Sequence, residues 1–459
     1  MALLIRGGTL VTPAGLAPAD LAIESGRIAA LGEGLGAPGD AVLDATGCLV
    51  LPGGIDPHTH IEMPAGGGEF NADDWYSGTA AALAGGTTTV LDMITPERGG
   101  TLGAALRDWQ ERAAARAACD YSFHMGLIED TPALVQEMGE VARAGVPSFK
   151  IYLAYKGRLM IDDGAAFRIL RRAGALGGLV LAHCENGEVI DTLIADARAG
   201  GDLAPGRHAR VRPAAAEGEA TARCIALAGL AQAPLYVVHV TCRESLAAVR
   251  RARQAGQPVC GEVCTHHLLL TEAEYERPGF GAAPYVLSPP LRSAADVAAL
   301  RDGLARGWLQ TVATDHCPWQ LKGQKERGVN DFTAIPNGAG GIQERLGLLF
   351  HHLGGRLGWE RLAALTAGNA ARIFGLYPQK GALLPGADAD LVVWDPGQPQ
   401  TYSAQTQLSH ADHSIYEGFA VQGAPRFVLQ RGRLAVREGK VLAEPGWGRF
   451  LARSASGTT

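Results

Sequence analysis

Several features that would send this chain elsewhere are missing. No apolar run approaches the roughly 18 residues of a membrane-crossing helix, and Arg6-Gly7-Gly8 interrupts the N-terminus before the apolar core of a secretion signal can form. A cytoplasmic location is expected. Neither sign of charge dominates: 41 Lys and Arg stand against 47 Asp and Glu, a formal charge of -6, with no Lys/Arg-rich run. That balance argues against nucleic acid or an anionic membrane as partner and favours a small or neutral ligand. Cysteine is sparse and scattered, eight residues with no CxxC pair, so reduced thiols are expected. No GxGxxG follows the first strong strand candidate, which counts against an open, doubly wound dinucleotide-binding sheet.

What the 459 residues do contain is enough apolar sequence, 47%, for a large core, with glycines punctuating the turns. Residues 1 to 50 read as short strands (3–5, 9–11, 21–23, 27–31, 41–43) between Gly-rich breaks. The C-terminal part, 381–459, returns to that style at 389–394, 426–429 and 433–441. Both ends are therefore expected to build one small β domain. Between them, over 51–380, short apolar runs alternate with longer Ala/Leu/Arg-rich stretches, the rhythm of βα units. Candidate strands lie at 48–55, 88–94, 121–128, 148–155, 179–182, 235–240, 258–263 and 310–313, the count of a closed (β/α)8 barrel. The tail from Ser454 to Thr459 reads as disordered.

Ligand-type residues fall at the ends of five of these strands: His58 and His60 after the first, Lys150 in the fourth, His183 after the fifth, His239 in the sixth and Asp315 after the eighth. Strand C-terminal ends of a barrel converge on one site, so residues distant in sequence share a pocket. His58-Thr59-His60 sets two imidazoles at i and i+2, on one face of an extended segment. Alone, that pair reads more readily as solvated or core-bonded histidines in a loop. The further ligand-type residues at matching strand ends give it weight. Lys150 lies in a strand buried on both faces, where an unpaired ammonium is costly. A salt bridge is one remedy, and charge counting offers another. Two divalent cations bring +4, while Asp315 and a bridging hydroxide bring -1 each, leaving +2. An N-carboxylate formed from neutral Lys150 and CO2 supplies -1 and two bridging oxygens, and the excess falls to +1.

Together, Gly53-Gly54-Ile55-Asp56-Pro57-His58-Thr59-His60, Ser148-Phe149-Lys150, Ala182-His183-Cys184-Glu185-Asn186, Val238-His239, Ser288-Pro289-Pro290-Leu291-Arg292, Thr314-Asp315-His316-Cys317 and Ile335-Pro336-Asn337-Gly338 resemble the dihydropyrimidinase/hydantoinase branch of the cyclic amidohydrolases. The resemblance runs the whole chain, through Gly386-Ala387-Asp388-Ala389-Asp390-Leu391-Val392. It implies a (β/α)8 TIM-type barrel with a small β-sandwich domain built from both termini, and two divalent metal ions, zinc in type, bridged by carboxylated Lys150. It also implies a homotetramer or dimer and hydrolysis of a small cyclic ureide, a dihydropyrimidine or 5-substituted hydantoin, to an N-carbamoyl amino acid. Carried over residue by residue, His58, His60 and Asp315 hold one ion and His183 and His239 the other, with Lys150 between them. Asp315 is then the catalytic proton shuttle between a metal-bridging hydroxide and the leaving nitrogen. Tyr155 stabilises the tetrahedral oxyanion and helps to bind substrate, and backbone groups of Ser288 and Asn337 grip the ring's amide edges. From the residues alone, Tyr155 reads as packing, and Ser288 and Asn337 as turn residues.

His266 and His267 follow the seventh strand but are left outside the ligand set, which is complete for two ions without them. Glu262, His124 and His316 are expected behind the ligands at most. Dihydroorotases of the superfamily carry an anion-binding Arg two residues after the HxH; Glu62 stands there, so a carboxylate facing the site is expected to repel anionic rings. Allantoinase-like members show Asn there, which leaves allantoin as the weaker alternative. Scaffold relatives keep the fold and lose ligands, whereas every ligand-type residue is present in this chain. Lys150→Ala should lose both bridging and activity, with partial rescue by short-chain carboxylates. Two tightly bound metals and near-normal turnover in that variant, without added acid, would show that no carbamate is needed.

Overall fold

The structure, a computed structural model, describes residues 3–454. Of the tail expected to be disordered, residues 455–459 lie outside that range. The apolar run at 48–55 proves to be two strands. Leu49–Pro52 joins a sheet built by both chain ends, antiparallel to Leu391–Thr401 and parallel to Thr9–Thr12. Gly54–Thr59 is instead the first barrel strand, β1. The break is enforced at Gly53, where a Cβ would lie 2.2 Å from Thr88 Oγ1, so a glycine is needed for the chain to pass.

The strands β2 (Thr87–Ile94), β3 (Asp120–Gly126), β4 (Ser148–Tyr152), β5 (Leu179–His183), β6 (Leu235–Val237), β7 (Val259–Cys264) and β8 (Thr311–Ala313) follow in parallel, each beside its predecessor. Every residue in them is buried, which is why they read as continuous apolar runs rather than alternating ones. Helices return the chain between strands. Asp163–Ala175, for example, starts where Asp162 accepts from Ala165 N and buries Ile169 and Leu170 against the barrel. The architecture is the expected (β/α)8 barrel. β4 and β6 end sooner than their apolar runs predict, because the chain turns left-handed at Tyr155 (φ 68°) and His239 (φ 37°), and Asp315 (φ 50°) does the same after β8. Such values are uncommon outside glycine.

Both ends of the chain fold together as a sandwich. The sheet containing Leu49–Pro52 runs in the order Lys440–Val441, Arg433–Arg437, Ala420–Gln430, Leu391–Thr401, Leu49–Pro52, Thr9–Thr12, Gly15–Pro18. A second sheet is ordered Arg27–Gly32, Asp20–Glu24, Leu3–Arg6, Ala41–Asp44. Ile5, Leu21, Ile23, Val50, Leu391 and Leu429 pack in one core drawn from both sheets. The chain then returns to the barrel. Phe450 bridges Tyr121 of β3, and the fully sequestered Arg453 guanidinium donates to Ser122 Oγ (2.9 Å) and Ser148 Oγ (2.6 Å).

β1 and β8 share no ladder, so the barrel closes by other means. His60 N donates to His316 O (2.8 Å) just beyond the strands, and Thr314 Oγ1 donates to Asp56 (2.6 Å). Deeper in, Arg345 has no exposed surface and donates to Ile55 O (2.9 Å) and Val312 O (3.0 Å), one carbonyl on each side of the seam. Replacing it should leave both carbonyls unpaired in the core. Arg345→Met is expected to destabilise the protein by about 2–4 kcal/mol, the scale of two charged hydrogen bonds, measured as faster unfolding in denaturant. An unchanged unfolding rate would show that the seam closes without it.

Candidate metal centre

Barrel geometry brings the six ligand-type residues together at one mouth. His58 is in β1, Lys150 in β4 and His183 at the end of β5, while His60, His239 and Asp315 sit one or two residues beyond β1, β6 and β8. Asp315 Oδ1 lies 3.2 Å from His58 Nε2 and 3.1 Å from His60 Nε2. Lys150 Nζ is 3.5 Å from His58 Nε2, and the His58 and His239 rings are 5.5 Å apart. His183 Nδ1 faces His239 Nε2 at 2.9 Å.

Carboxylates behind the ring fix which nitrogen faces inward. Glu262 Oε1 takes the His58 Nδ1 proton at 2.7 Å, so Nε2 presents its lone pair to the centre. Glu185 Oε2 does the same at His183 Nε2 (2.8 Å), leaving Nδ1 to face His239. Burial pushes the His60, His183 and His239 imidazoles below their usual pKa, toward the neutral form that metals require. At Asp315 burial opposes the charge, but His58, the His60 hydrogen bond and His239 outweigh it and hold the carboxyl well below the usual range. Burial also brings Lys150 down to about 8, which favours the free amine that CO2 needs. Neutral imidazoles with inward lone pairs, one ionised carboxylate and one reactive amine fit a pair of divalent ions.

The amidohydrolase family model matches residues 49–435. The chain belongs to the amidohydrolase family. The D-hydantoinase of Ralstonia pickettii is 43% identical over 458 residues, 99% of each chain. The dihydropyrimidinase of Rattus norvegicus is 37% identical over 461 residues, 98% of this chain and 88% of that protein. Among solved structures, the dihydropyrimidinase from Brevibacillus agri NCHU1002 superposes with a TM-score of 0.97 at 42% identity, over 99% of each chain. The protein is therefore a metal-dependent cyclic amidohydrolase.

The other anticipated residues of this amidohydrolase line the same mouth. The Tyr155 ring stands 5.0 Å from that of His183, and its hydroxyl lies beside Ser288. Asn337 Nδ2 donates to Ser288 Oγ at 3.0 Å. Burial pushes the Tyr155 phenol up, so it remains a donor. His124 and His316 stand behind the ligands. Arg453 donates to Ser148 Oγ, Ser148 donates to His124 Nδ1 (2.7 Å), and His124 Nε2 donates to Pro57 O (3.0 Å), the carbonyl before His58. His316 Nε2 meets Asp73 at 2.9 Å.

One expectation fails. Glu62 (φ 51°) turns its carboxylate away onto Arg116 Nη2 (2.8 Å) and Trp75 N (3.3 Å), with Arg112 Nη1 at 3.8 Å. Its charge is compensated there, and the repulsion of anionic rings argued from it falls away. Two contributors went unnoticed in the sequence. Arg212 grips Glu185 (2.5 Å) and stands 5.4 Å from the Tyr155 ring centre. Lys325, with no exposed surface, donates to Val286 O (3.0 Å) and Pro336 O (3.1 Å), tying together the loops of Ser288 and Asn337. A cation beside no carboxylate is disfavoured there, and burial pushes Lys325 from 10.5 down to about 7. Below about pH 7 the folded protein bears the full cost of that charge; above it the folded state sheds a proton that the unfolded chain keeps until about 10.5, so stability rises with pH. Lys325→Met lacks this gain. In unfolding measurements across pH 6–10, the wild type's advantage over Lys325→Met should widen as pH rises, and a pH-independent gap would place the lysine outside the core.

Proposed function

We propose that this amidohydrolase opens neutral five- and six-membered cyclic ureides, dihydropyrimidines and 5-substituted hydantoins, to N-carbamoyl amino acids. The observation that carries the reading is the convergence of six ligand-type side chains beside an uncharged hydrogen-bonding edge made by Tyr155, Ser288 and Asn337. His58, His60 and Asp315 would hold one divalent ion and His183 and His239 the other, with zinc the best match to this N/O donor set. Lys150, as its N-carboxylate, would supply the remaining anionic oxygens to both. Once bound, such ions acidify water and polarise the carbonyl under attack.

The chain's own groups do the rest. Asp315, ionised and beside His58 and His60, takes the proton of the attacking water and delivers it to the ring nitrogen as the C–N bond breaks. Tyr155 donates to the oxygen that gains negative charge. Ser288 and Asn337 hold the amide edge, with the loops carrying them tied by Lys325. Glu62 no longer supports the preference for neutral rings. It now rests on Tyr155, Ser288 and Asn337, which offer dipoles rather than a cation to the substrate. In the same reading the enzyme works in the cytoplasm as a homotetramer or dimer on a small-molecule substrate.

The test is kcat/KM for dihydrouracil, phenylhydantoin, allantoin and dihydroorotate with the metal-loaded enzyme. Dihydrouracil and phenylhydantoin should exceed dihydroorotate by at least about 100-fold, on the order of the loss when an ionised group finds no partner. A preference for dihydroorotate or allantoin would overturn the substrate assignment and leave the metal-hydrolase assignment standing.

A further inference from the structure

A second group of donors lies at the end of β7. Cys264 is the last residue of that strand, and the helical turn Thr265–Leu269 that follows carries His266 and His267. Exposure is 0% for Cys264, 4% for His266 and 2% for His267. One donor atom from each lies within 4.8 Å of the other two, and the trio is separate from the cluster of His58, His60 and Asp315. The hydrogen bonding is as informative as the spacing. His267 Nε2 stands 3.0 Å from Pro289 O. A carbonyl only accepts, so that nitrogen carries the proton and Nδ1 holds the lone pair. Nδ1 of His267 and Nε2 of His266 are both buried without a hydrogen-bond partner. Orphaned buried nitrogens are costly and need a reason.

We propose that Cys264, His266 and His267 form a third cation site, specific for a borderline-soft divalent ion of the zinc class. One thiolate and two imidazoles are the donor set such ions prefer, and a water or backbone oxygen completes a tetrahedron. Binding forms a sulfur–metal bond as the Cys264 S–H proton leaves to solvent, with no change of oxidation state. The second nitrogen of His267 is anchored on Pro289, next to Ser288, so the ion would stiffen the turn behind the ring-gripping loop. The inference does not rest on the ring-opening reading.

The metal-loaded enzyme should be titrated with cadmium(II) while near-ultraviolet absorption and bound metal are followed. The main centre offers no sulfur, so thiolate-to-cadmium absorption reports only on a cysteine. One equivalent should bind with that absorption. Cys264→Ser should abolish it, and His266→Asn or His267→Asn should weaken binding by more than about 100-fold, beyond the cost of losing an outer partner. Cys184→Ser and Cys317→Ser, the thiols beside His183 and Asp315, should retain it. Absence of the absorption at one equivalent, or its persistence in Cys264→Ser or loss in Cys184→Ser, would overturn the site. Should Cys264→Ser fail to fold, the histidine variants carry the same decision.

Discussion

The Glu262 carboxylate is the interaction on which the mouth of this barrel depends. It has no exposed surface, so its charge must be met from within the protein. Three donors meet it: the His58 ring at 2.7 Å, the His239 backbone at 3.0 Å and the Tyr236 hydroxyl at 2.7 Å. Tyr236 also touches Thr311 Oγ1 at 2.6 Å. One side chain of β7 thus reaches β1, β6 and, through Tyr236, β8. The contact with His58 crosses the side of the barrel where the strand ladder is open. The group that orients two histidines is therefore also part of what holds the seam, and the geometry of the centre and the closure of the fold are one problem solved once.

A second constraint is local. Tyr155, His239 and Asp315 leave their strands in the left-handed region, which costs energy in a residue with a Cβ and persists only where surroundings enforce it. Among the described residues, three of the eight non-glycine residues with positive φ are thus site residues. Burial acts alongside it, pushing the His60, His183 and His239 imidazoles and the Lys150 amine down, while His58, His60 and His239 hold the Asp315 carboxyl low.

These physical terms also explain what could be read from the sequence. The eight strands were legible because strands buried on both faces must be apolar throughout, and the six ligand-type residues because they interrupt that pattern at the strand ends. The split at Gly53 was not, since it depends on Thr88 pressing from the neighbouring strand. Lys325 sits in a stretch, Lys322 to Gly328, that is polar enough to pass for surface, and its burial follows from carbonyls about forty and ten positions away. Glu62 was misjudged for a similar reason. Its partner Arg116 lies on a later segment, 54 residues on, and no local pattern says which way a carboxylate after a tight turn will swing.

Arg453 has a consequence for how the molecule is made. β3 and β4 contain Ser122 and Ser148, the acceptors of its guanidinium, 331 and 305 positions earlier. Leu49–Pro52 likewise needs Leu391–Thr401 as its neighbour. During synthesis those early strands emerge long before their partners exist, and Ser148, His124 and Pro57 wait in line behind the missing donor. Pairings of such long range are slow to form and leave edges open meanwhile. The backbone leading to His58 has its full set of supports only once Arg453 has docked on β3 and β4.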